Sequence, residues 1–516
     1  MKNYLALIGL LVSAQLVAQE SPLWEDFVQA KKDGTEAILP DFSYAGYHRG
    51  EKEVPDVNHK VFNVQDFGAV ANDGKSDRQA VEEAIAAAKA NKSGVIFFPK
   101  GRYDFNTAGE EKKSILVNAS NIVFRGEGSG AGGTLLFMNE DMPPADPDKM
   151  WTCPPMFKFA GSGKDEKVAN VVADAGRGTF SVDVNNAKSI KPGTWVRLAV
   201  KNADPEFVKE EMAPYPIYEE WTKLNEGGVI INEYHEVDKV KGNTVFFKEP
   251  ILRAVSAKYG WKIYTYGHGE EVGVEDIAFE GNWHEDFVHH KSALHDTGYT
   301  LMQFSRLTNS WMRNCKFTNF NSVFSTGLSA NISVYNCDLT GTPGHSAMSA
   351  NGSSRVFFGK INDTAEHWHA TGISNESIGT VIWRNTFSAN SCFNSHASQP
   401  RTTLFDCTEG GFFLGRAGGA KFNLPNHLRE LVLWNFKETD EAEENFEFWS
   451  SQTWYWKIIP PIVVGFHGSG TTFLPEQVGI LESVGTPVKP ESLYEEQLKL
   501  RLGSLPNWLV TLKTTN

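Results

Sequence analysis

A repeat of 22 residues between positions 300 and 419 constrains the fold of this chain more than any other feature. Cys315 and Cys337 occupy equivalent places in two similar segments, and Leu339 and Ile361 are separated by the same 22 residues. The segments are rich in β-branched and aromatic residues and are interrupted by Gly, Asn and Ser. A repeat of this length and composition is typical of the coils of a parallel β-helix, in which each coil stacks on the one before it.

A β-sandwich is the alternative all-β fold for a chain with many short strands. Its hairpin turns would recur about every 8–12 residues, a much shorter spacing than the one found here. We therefore predict an all-β chain folded as a parallel β-helix.

The charge of the chain limits its partners. Of its 516 residues, 41% are hydrophobic and 22% are charged, and the formal net charge is −14. An acidic surface disfavours nucleic acids and anionic membranes as partners. It does not disfavour an acidic polysaccharide or oligosaccharide, because a local basic groove can lie on an acidic protein. We expect the chain to be a monomer.

The first 18 residues have the pattern of a signal peptide. Lys2 precedes an apolar run over 5–12, and Ala14 or Ala18 offers a small residue for cleavage. No cysteine lies near either position, so we expect no lipid anchor. Beyond this segment no apolar run approaches the roughly 18 residues that span a bilayer. The pattern predicts a soluble protein exported to the periplasm or secreted.

The cysteines favour packing over chemistry. The chain has five, an odd number, so at least one thiol is free of an intramolecular disulfide. Cys315, Cys337 and Cys407 stand at similar places in the repeat, where small apolar side chains would stack in the core. Neither a CxxC pair nor a Cys/His zinc spacing occurs. We therefore predict no metal site and no cofactor from these residues.

A helix is predicted over 78–91, between a glycine-rich turn and the strand expected over 95–103. Ser76 or Asp77 is positioned to cap its first turn. A solenoid needs such a helix at its open end, since the last coil would otherwise expose an apolar layer and free sheet edges. The apolar stripe of the helix comprises Val81, Ala84, Ile85 and Ala88.

The same region resembles the opening segment of the pectate-lyase superfamily, which includes polygalacturonases, polysaccharide lyases and phage tailspikes. The resemblance implies a right-handed parallel β-helix with an N-terminal capping helix. It does not indicate the reaction, because these residues build the cap and not the active site. The residues that carry it are Asp66-Phe-Gly-Ala69, Asp73-Gly74, Asp77, Ala80, Ile85 and Phe98-Pro-x-Gly-x-Tyr103.

Composition divides the chain into six parts. Between the cap and the repeat lies a stretch without the coil pattern, which we predict to be a small β-rich insertion. After the repeat come an acidic and aromatic stretch and an amphipathic helix, which we expect to cap the far end. The predicted parts are a signal peptide 1–18, an extension 19–60, the cap and first coils 61–139, the insertion 140–270, the main coils 271–437 and an aromatic region with the C-terminal capping helix 438–516.

Aligning the coils on Ser329, Ser349, Ser374 and Ser398 predicts a groove floor. Side chains alternate between the two faces of a strand, so Leu328, Met348 and Ile373 should point inward. The outward positions then hold small residues together with three larger polar ones, His345, Asn394 and His396. The strand spacing places His345 about 10 Å from Asn394 or His396, which lie two coils away. The outward set is Ser325, Gly327, His345, Ala347, Ala370, Gly372, Asn394 and His396.

Two further stretches complete the predicted site. Glu366-His-Trp-His369 leads into a strand at the groove edge, and Arg416 is a lone cation in a glycine-rich run one coil further on. A single histidine is more often structural than catalytic, and we expect His427 to be structural. We predict as catalytic His345, His369 and His396, and as substrate-binding Asn394, Arg416, Trp368 and His367.

The reaction is left among three classes. A hydrolase of the polygalacturonase type needs paired carboxylates, and such enzymes carry Asn-Thr-Asp, Asp-Asp, Gly-His-Gly and Arg-Ile-Lys in that order. This chain departs from that order, since Gly344-His345-Ser346 precedes Asn362-Asp-Thr364, and neither Asp-Asp nor Arg-Ile-Lys occurs. An eliminase needs a base beside the carboxylate of a uronic acid and a cation to neutralise it. We predict β-elimination by a lyase or a dehydratase, with a hydrolase and a non-catalytic glycan-binding protein as alternatives.

Calcium, which some β-helix lyases use, is the one cofactor that the sequence leaves open. It would need acidic residues clustered on the groove, and the candidates are Asp363, Glu366 and Glu376.

Overall fold

The computed structural model describes residues 19–414, 416 and 418–515, so the predicted signal peptide lies outside the described residues. Most of the described chain winds into a parallel β-helix, as the repeat predicted. Trp311 pairs in parallel with Ser333, Ser333 with Phe357, and Phe357 with Val381. The predicted constant step of 22 residues is wrong beyond the second coil, because Leu339 pairs with Asp363 and not with Ile361.

Two parallel sheets run along the solenoid. The larger contains Val61–Asn63, Gly94–Phe97, Gly101–Phe105, Ile122–Arg125, Thr134–Met138, Gly269–Glu270, Gly273–Glu275, Ala278–Gly281, Leu307–Arg313, Lys316–Thr318, Ala330–Thr340, Phe357–Asp363, Ile378–Trp383, Thr386–Phe387, Arg401–Asp406, Glu409–Gly410, Leu431–Trp434, Lys437–Glu438, Ile462–Val464 and Ile480–Glu482. The smaller, called here the groove sheet, contains Ile115–Val117, Phe157–Ala160, Thr300–Ser305, Ser322–Gly327, Ser346–Asn351, His369–Ser374 and Cys392–His396.

The remaining elements decorate the solenoid. The helices are Pro22–Asp33, Arg78–Ala90, Pro205–Met212, Thr222–Asn225, Leu493–Leu502 and Asn507–Thr514. The short helical turns are Tyr47–Gly50, Val64–Phe67, Ala257–Tyr259, Leu294–Gly298, Lys421–Asn423 and Pro475–Gln477. Gln19–Glu20 pairs with Val488–Lys489. In the part of the chain that the structure describes, no helix combines the length and apolar character needed to cross a membrane.

One corner of the coil is fixed by residues in the left-handed backbone conformation. Asn side chains tolerate this conformation better than most, and two of them also bond along the stack. Asn336 Nδ2 donates to Asn314 Oδ1 over 2.6 Å, and Asn314 Nδ2 donates to Asp276 Oδ1 over 3.0 Å. The corner residues, with φ between 49° and 58°, are Asp276, Asn314, Asn336, Lys360, Arg384, Cys407 and Asn435.

The predicted capping helix is present as Arg78–Ala90, and its apolar stripe is buried against the first coils. The side chain of Asp77 does not cap it. That carboxylate instead accepts the backbone N–H groups of Val70 and Asp104, each over 2.9 Å, and so ties the cap to the first coils. Ser76 Oγ accepts the N–H of Arg78 over 3.3 Å.

The predicted insertion contains a six-stranded antiparallel sheet. Phe157–Ala160, however, pairs in parallel with Thr300–Ser305 and therefore belongs to the β-helix, so the predicted start at 140 is too early. The insertion is fastened to the solenoid by buried Arg355, whose guanidinium donates to the carbonyl oxygens of Tyr234 and Pro250 over 2.9 and 3.0 Å. Its strands are Lys167–Asn170, Ser181–Asp183, Trp195–Asn202, Val229–Lys241, Thr244–Phe247 and Lys262–Thr265.

The C-terminal helices lie along the side of the solenoid and not over its end, contrary to the sequence prediction. Coils also continue past 437, since Ile462–Val464 pairs in parallel with Leu431–Trp434 and with Ile480–Glu482. The larger sheet presents apolar side chains outward, and the extension and the C-terminal helices cover them. This covered set includes Trp311, Phe357, Trp383, Leu404 and Trp434 from the coils, with Phe27, Leu493, Tyr494, Leu498 and Trp508 from the termini.

The far end of the core is closed by aromatic rings. Phe412, Phe446, Phe448, Phe466 and Phe473 are buried and contact one another. Trp449 and Trp456 are buried as well, so packing accounts for most of the aromatic stretch. The five cysteines form no disulfide, and Cys315 and Cys337 lie in the core as predicted. The same prediction is wrong for Cys407, which is one of the left-handed corner residues and lies outside the core.

Candidate active site

The groove sheet forms the floor of the candidate site. In its register Asn351, Ser374 and His396 lie side by side, and Ser349, Gly372 and Asn394 form the neighbouring row. The sequence alignment on serines is therefore wrong by two residues in several coils. Because side chains alternate with a period of two, an error of two residues keeps them on the same face. The outward placement of His396, Asn394 and Ser349 thus survives the shift.

Three side chains point in the direction opposite to the predicted one. Leu328 was expected inside, yet it is 41% exposed and occupies a turn with φ of 52°. Ala347 and Ala370 were expected on the groove but are buried in the core. The register shifts between His369 and Gly372, and this irregularity breaks the strict alternation on which the prediction rested.

The three predicted catalytic histidines form a row across adjacent coils. The ring centres of His345 and His369 are 5.1 Å apart, and those of His369 and His396 are 5.0 Å apart. All three line a cavity of about 290 Å³ whose floor carries Gln303, Ser325, Ser349, Asn351, Ser374 and Asn394. The cavity is therefore polar, and sugar hydroxyls could bond to its floor.

Burial keeps these imidazoles neutral. Burial lowers the pKa of His345 to about 3, although the nearby Asp296 charge opposes this shift. Burial also holds the pKa of His369 well below its ordinary value. Burial also lowers the pKa of His396. Neutral imidazoles at neutral pH can accept protons or bind a metal ion.

A loop that no repeat in the sequence predicted covers one side of the row. His289 stacks on Trp368 with ring centres 4.5 Å apart, and its ring centre is 5.3 Å from that of His345. Burial and the neighbouring His290 lower the pKa of His289 to about 4. The adjacent pair of histidines was the available signal, but it lies outside the repeat that was aligned.

Asp296 organises this loop. Its carboxylate accepts the backbone N–H of His290 over 3.0 Å and lies 2.7 Å from His290 Nδ1. Burial would raise the pKa of Asp296, but the His290 hydrogen bonds and the adjacent imidazoles hold it below its ordinary value. The backbone carbonyl oxygen of Asp296 lies 3.2 Å from His345 Nδ1, so the loop also orients the row.

The predicted substrate-binding residues divide between the groove and the interior. The guanidinium of Arg416 lies 4.5 Å from the centre of the Trp368 ring, so cation and indole form one surface, and Trp368 in turn stacks on His289. Asn394 is buried in the cavity wall, and its Oδ1 has no partner. His367 is also buried, but both of its ring nitrogens are occupied by Asp363 and by the carbonyl oxygen of Phe320. It supports the site without facing it.

Gly418 holds the last histidine of the row in place. A Cβ atom at Gly418 would lie only 1.7 Å from Cδ2 of His396, so the backbone here packs directly on the imidazole. The carbonyl oxygen of Gly418 accepts a hydrogen bond from Asn426 Nδ2 over 2.9 Å. The loop that carries Arg416 thereby also fixes His396.

Among the described residues, two groups of side chains could hold a metal ion, although the sequence predicted none. One is His289, His345 and His369, and the other is His290, Asp296 and His345; within each, the potential ligand atoms lie within 4.8 Å of one another. Their members come from separate coils and a loop, so no linear spacing could reveal them.

The acidic residues considered for calcium do not form a cluster. Asp363 is bonded to His367, Glu366 to Ser388 and Glu376 to Lys223. Calcium takes about 6–8 oxygen ligands, and neither histidine-rich group supplies such a set.

Two family models match parts of the chain. Residues 61–140 match the model described as rhamnogalacturonase A/epimerase, pectate lyase-like, in agreement with the resemblance of the cap motif. Residues 366–512 match a domain of unknown function, DUF4955. The second match contains Trp368, His369, Asn394, His396 and Arg416.

Similar proteins were found over short stretches or at low identity. The chain is 38% identical over 69 residues to the mannuronan C5-epimerase AlgE6 of Azotobacter vinelandii, which is 13% of this chain and 8% of that protein. It is 33% identical over 69 residues to alginate lyase 7 of the same organism, also 8% of that protein. The tailspike gp49 of Pseudomonas phage LKA1 aligns over 82% of this chain and 77% of its own, with 11% identity and a TM-score of 0.43.

Proposed function

We propose that this chain, in which residues 61–140 form a pectate lyase-like domain, acts on a uronate-containing polysaccharide or oligosaccharide by β-elimination. The observation that carries the proposal is the row of neutral imidazoles beside a cation. His345, His369 and His396 line one polar cavity, and Arg416 packs on Trp368, which precedes His369 in the chain and stacks on His289. β-Elimination needs this pairing of a base with a group that neutralises a carboxylate.

His396 is the base in this proposal. It lines the cavity and is partly exposed, and its lowered pKa leaves the imidazole free to accept a proton at neutral pH. The proton leaves the carbon next to the carboxylate, and its electron pair forms the carbon–carbon double bond. The bond from the neighbouring carbon to its oxygen substituent breaks, and the imidazolium of His396 returns the proton to the leaving oxygen.

Arg416 and Asn394 bind the carboxylate as negative charge builds on it. The guanidinium offers two parallel donors that match a carboxylate, and the Trp368 ring limits its movement. The Asn394 amide lines the cavity and can donate to the same group. If the leaving oxygen belongs to a glycosidic bond the enzyme is a lyase, and if it is a hydroxyl the enzyme is a dehydratase.

Hydrolysis is the weaker alternative because it requires two carboxylates across the scissile bond. Among the described residues that line the cavity there is neither an aspartate nor a glutamate. Asp296, the nearby carboxylate, is bonded to His290.

The test is incubation with a panel of polyuronates, sulfated uronate polysaccharides and their oligosaccharides. We expect an ultraviolet absorbance from an unsaturated uronate with at least one substrate, and its loss in His396→Ala with the fold retained by circular dichroism. His467→Ala, which changes a histidine outside the groove, is the matched control. New reducing ends without that absorbance would establish hydrolysis instead. Deuterium uptake from heavy water without an unsaturated product would establish epimerisation. Binding without any product would leave a glycan-binding protein.

A further inference from the structure

We propose that His289, His345 and His369 bind a divalent transition-metal ion, for which zinc is the best match. Their ring centres are separated by 5.1, 5.3 and 5.8 Å. Zinc–nitrogen bonds of about 2.0–2.1 Å in a tetrahedral arrangement place the centres of two imidazole rings roughly 5 Å apart. The three rings are thus already near the separation that one ion requires.

The nitrogen atoms that meet here have no other partner. His289 Nε2, His345 Nε2 and His369 Nδ1 are all buried and make no hydrogen bond. His345 is 9% exposed and His369 is 3% exposed, so solvent does not compensate for the missing bonds. Buried polar atoms are normally paired, and unpaired nitrogens on three rings whose potential ligand atoms lie within 4.8 Å of one another indicate a missing shared ligand.

The tautomer of His345 favours a cation between the three histidine rings. Its Nδ1 lies 3.2 Å from the backbone carbonyl oxygen of Asp296, which can only accept a hydrogen bond. The ring proton therefore belongs on Nδ1, and Nε2 presents a lone pair to the cluster. Metal-bound histidines are commonly oriented by such a bond from the second ring nitrogen.

Three imidazole ligands select the kind of ion. Nitrogen donors suit zinc and other late transition metals, whereas calcium and magnesium prefer oxygen. A set of three protein ligands leaves a fourth position, which His345 and His369 place beside the cavity. The other possible group is weaker, because its Asp296 carboxylate already accepts two hydrogen bonds from His290.

The role of the ion rests on the proposed function, whereas its binding does not. At the open position it would bind the uronate carboxylate as a Lewis acid and so assist Arg416 in neutralising it. His396 belongs to neither ligand group and stays available as the base. The row of histidines would then divide into metal ligands and a proton acceptor.

The experiment measures metal binding directly. Protein stripped with a chelator is dialysed against Zn²⁺, and bound metal is counted by elemental analysis and titrated by calorimetry. Stripped protein loaded with Co²⁺ is examined for the visible absorption of a tetrahedral site. We expect one ion per chain, a rise in the unfolding temperature with Zn²⁺, and at least a 100-fold loss of affinity in His345→Ala. Because His345 is buried, His289→Ala in the surface loop serves as a second variant with the same expectation.

Two controls locate the site. His290→Ala removes the partner of Asp296 and should keep the affinity within about threefold, and His467→Ala should leave it unchanged. No stoichiometric Zn²⁺ or Co²⁺ binding, or binding unchanged in both His345→Ala and His289→Ala, would overturn the inference. Metal binding without an unsaturated product would uphold the inference and reject the proposed reaction. If the stripped protein binds no added Zn²⁺ or Co²⁺ and still forms the full amount of unsaturated product, the proposed reaction is upheld and the metal site is rejected.

Discussion

His367 Nδ1 lies 3.0 Å from both carboxylate oxygens of Asp363, and its Nε2 lies 3.2 Å from the carbonyl oxygen of Phe320. Carboxylate and carbonyl oxygens only accept hydrogen bonds, so both ring nitrogens must donate, and the ring is an imidazolium. Burial alone would lower the pKa of His367, and the Asp363 charge and hydrogen bonds raise it above the ordinary value. His367 is thus a buried cation that anchors the turn before Trp368 and His369.

Replacing Asp363 with Asn is expected to lower the free energy of unfolding by about 3–5 kcal/mol, because it leaves the buried imidazolium without its counter-charge. Urea denaturation followed by fluorescence measures the change. Glu409→Gln is the matched control, since it breaks an exposed pair with Lys437 and should cost less than about 1 kcal/mol. Equal midpoints for Asp363→Asn and the native protein would show that His367 is neutral and that the pair is not an ion pair.

The contact between Gly418 and His396 predicts a catalytic effect without a large loss of stability. A methyl group at Gly418 would displace the imidazole, and a shift of about 1 Å can lower the rate roughly 100-fold. We expect Gly418→Ala to lower kcat far more than it raises KM, as measured with whichever uronate substrate the panel identifies.

Gly470→Ala is the control for that substitution. Its added methyl group would meet only Ala442, at 3.7 Å, so we expect native kinetics. Native kinetics in Gly418→Ala, with the fold intact, would mean that the position of His396 does not matter for the reaction.

The sequence predicted the parts of this site that follow from a strand period, and it failed where tertiary contacts decide. His345 and His396 were found because outward positions recur along aligned coils, even though the alignment was displaced by two residues. His369 was found because it ends a segment that leads into a strand of the groove. Leu328 and Ala370 were misplaced because a turn and a register shift break the period. His289 and Asp296 belong to a loop without a repeat, and only the fold brings them to the row.

Arg416 is expected to determine the preference for charged substrates. Arg416→Ala should raise KM for a uronate substrate about 10- to 100-fold, the loss expected for a hydrogen bond between charged groups. The methyl ester of the same substrate should be much less affected. Arg416→Lys should recover only part of the difference, because an ammonium lacks the planar fork and stacks less well on Trp368.

Lys421→Ala is the control for charge in the same loop. Lys421 is exposed and pairs with Glu220 over 3.1 Å, so its removal should leave KM unchanged. An equal effect of Arg416→Ala on the acid and on its ester would exclude a role in carboxylate binding.

Glu438 and Asp440 link the stability of the far end to pH. Glu438 is 2% exposed and accepts a hydrogen bond from Ser469, while Asp440 accepts the N–H of Phe412 over 2.9 Å. Burial, with the neighbouring Asp440 charge, raises the pKa of Glu438 to about 7. Between about pH 4.5 and 7 the folded protein therefore keeps a proton that the unfolded chain has lost. The folded state is favoured less as pH rises through this window, and the effect levels off above it.

Glu438→Gln should remove that dependence. We expect the native protein and the variant to have similar urea midpoints near pH 4.5, and the variant to become the more stable by roughly 1–3 kcal/mol at pH 8. Midpoints measured at unit intervals of pH give the slope directly. Glu444→Gln, at an exposed position in the same acidic stretch, should keep the native slope. A native slope in Glu438→Gln as well would mean that Glu438 is ionised in the folded protein throughout this window.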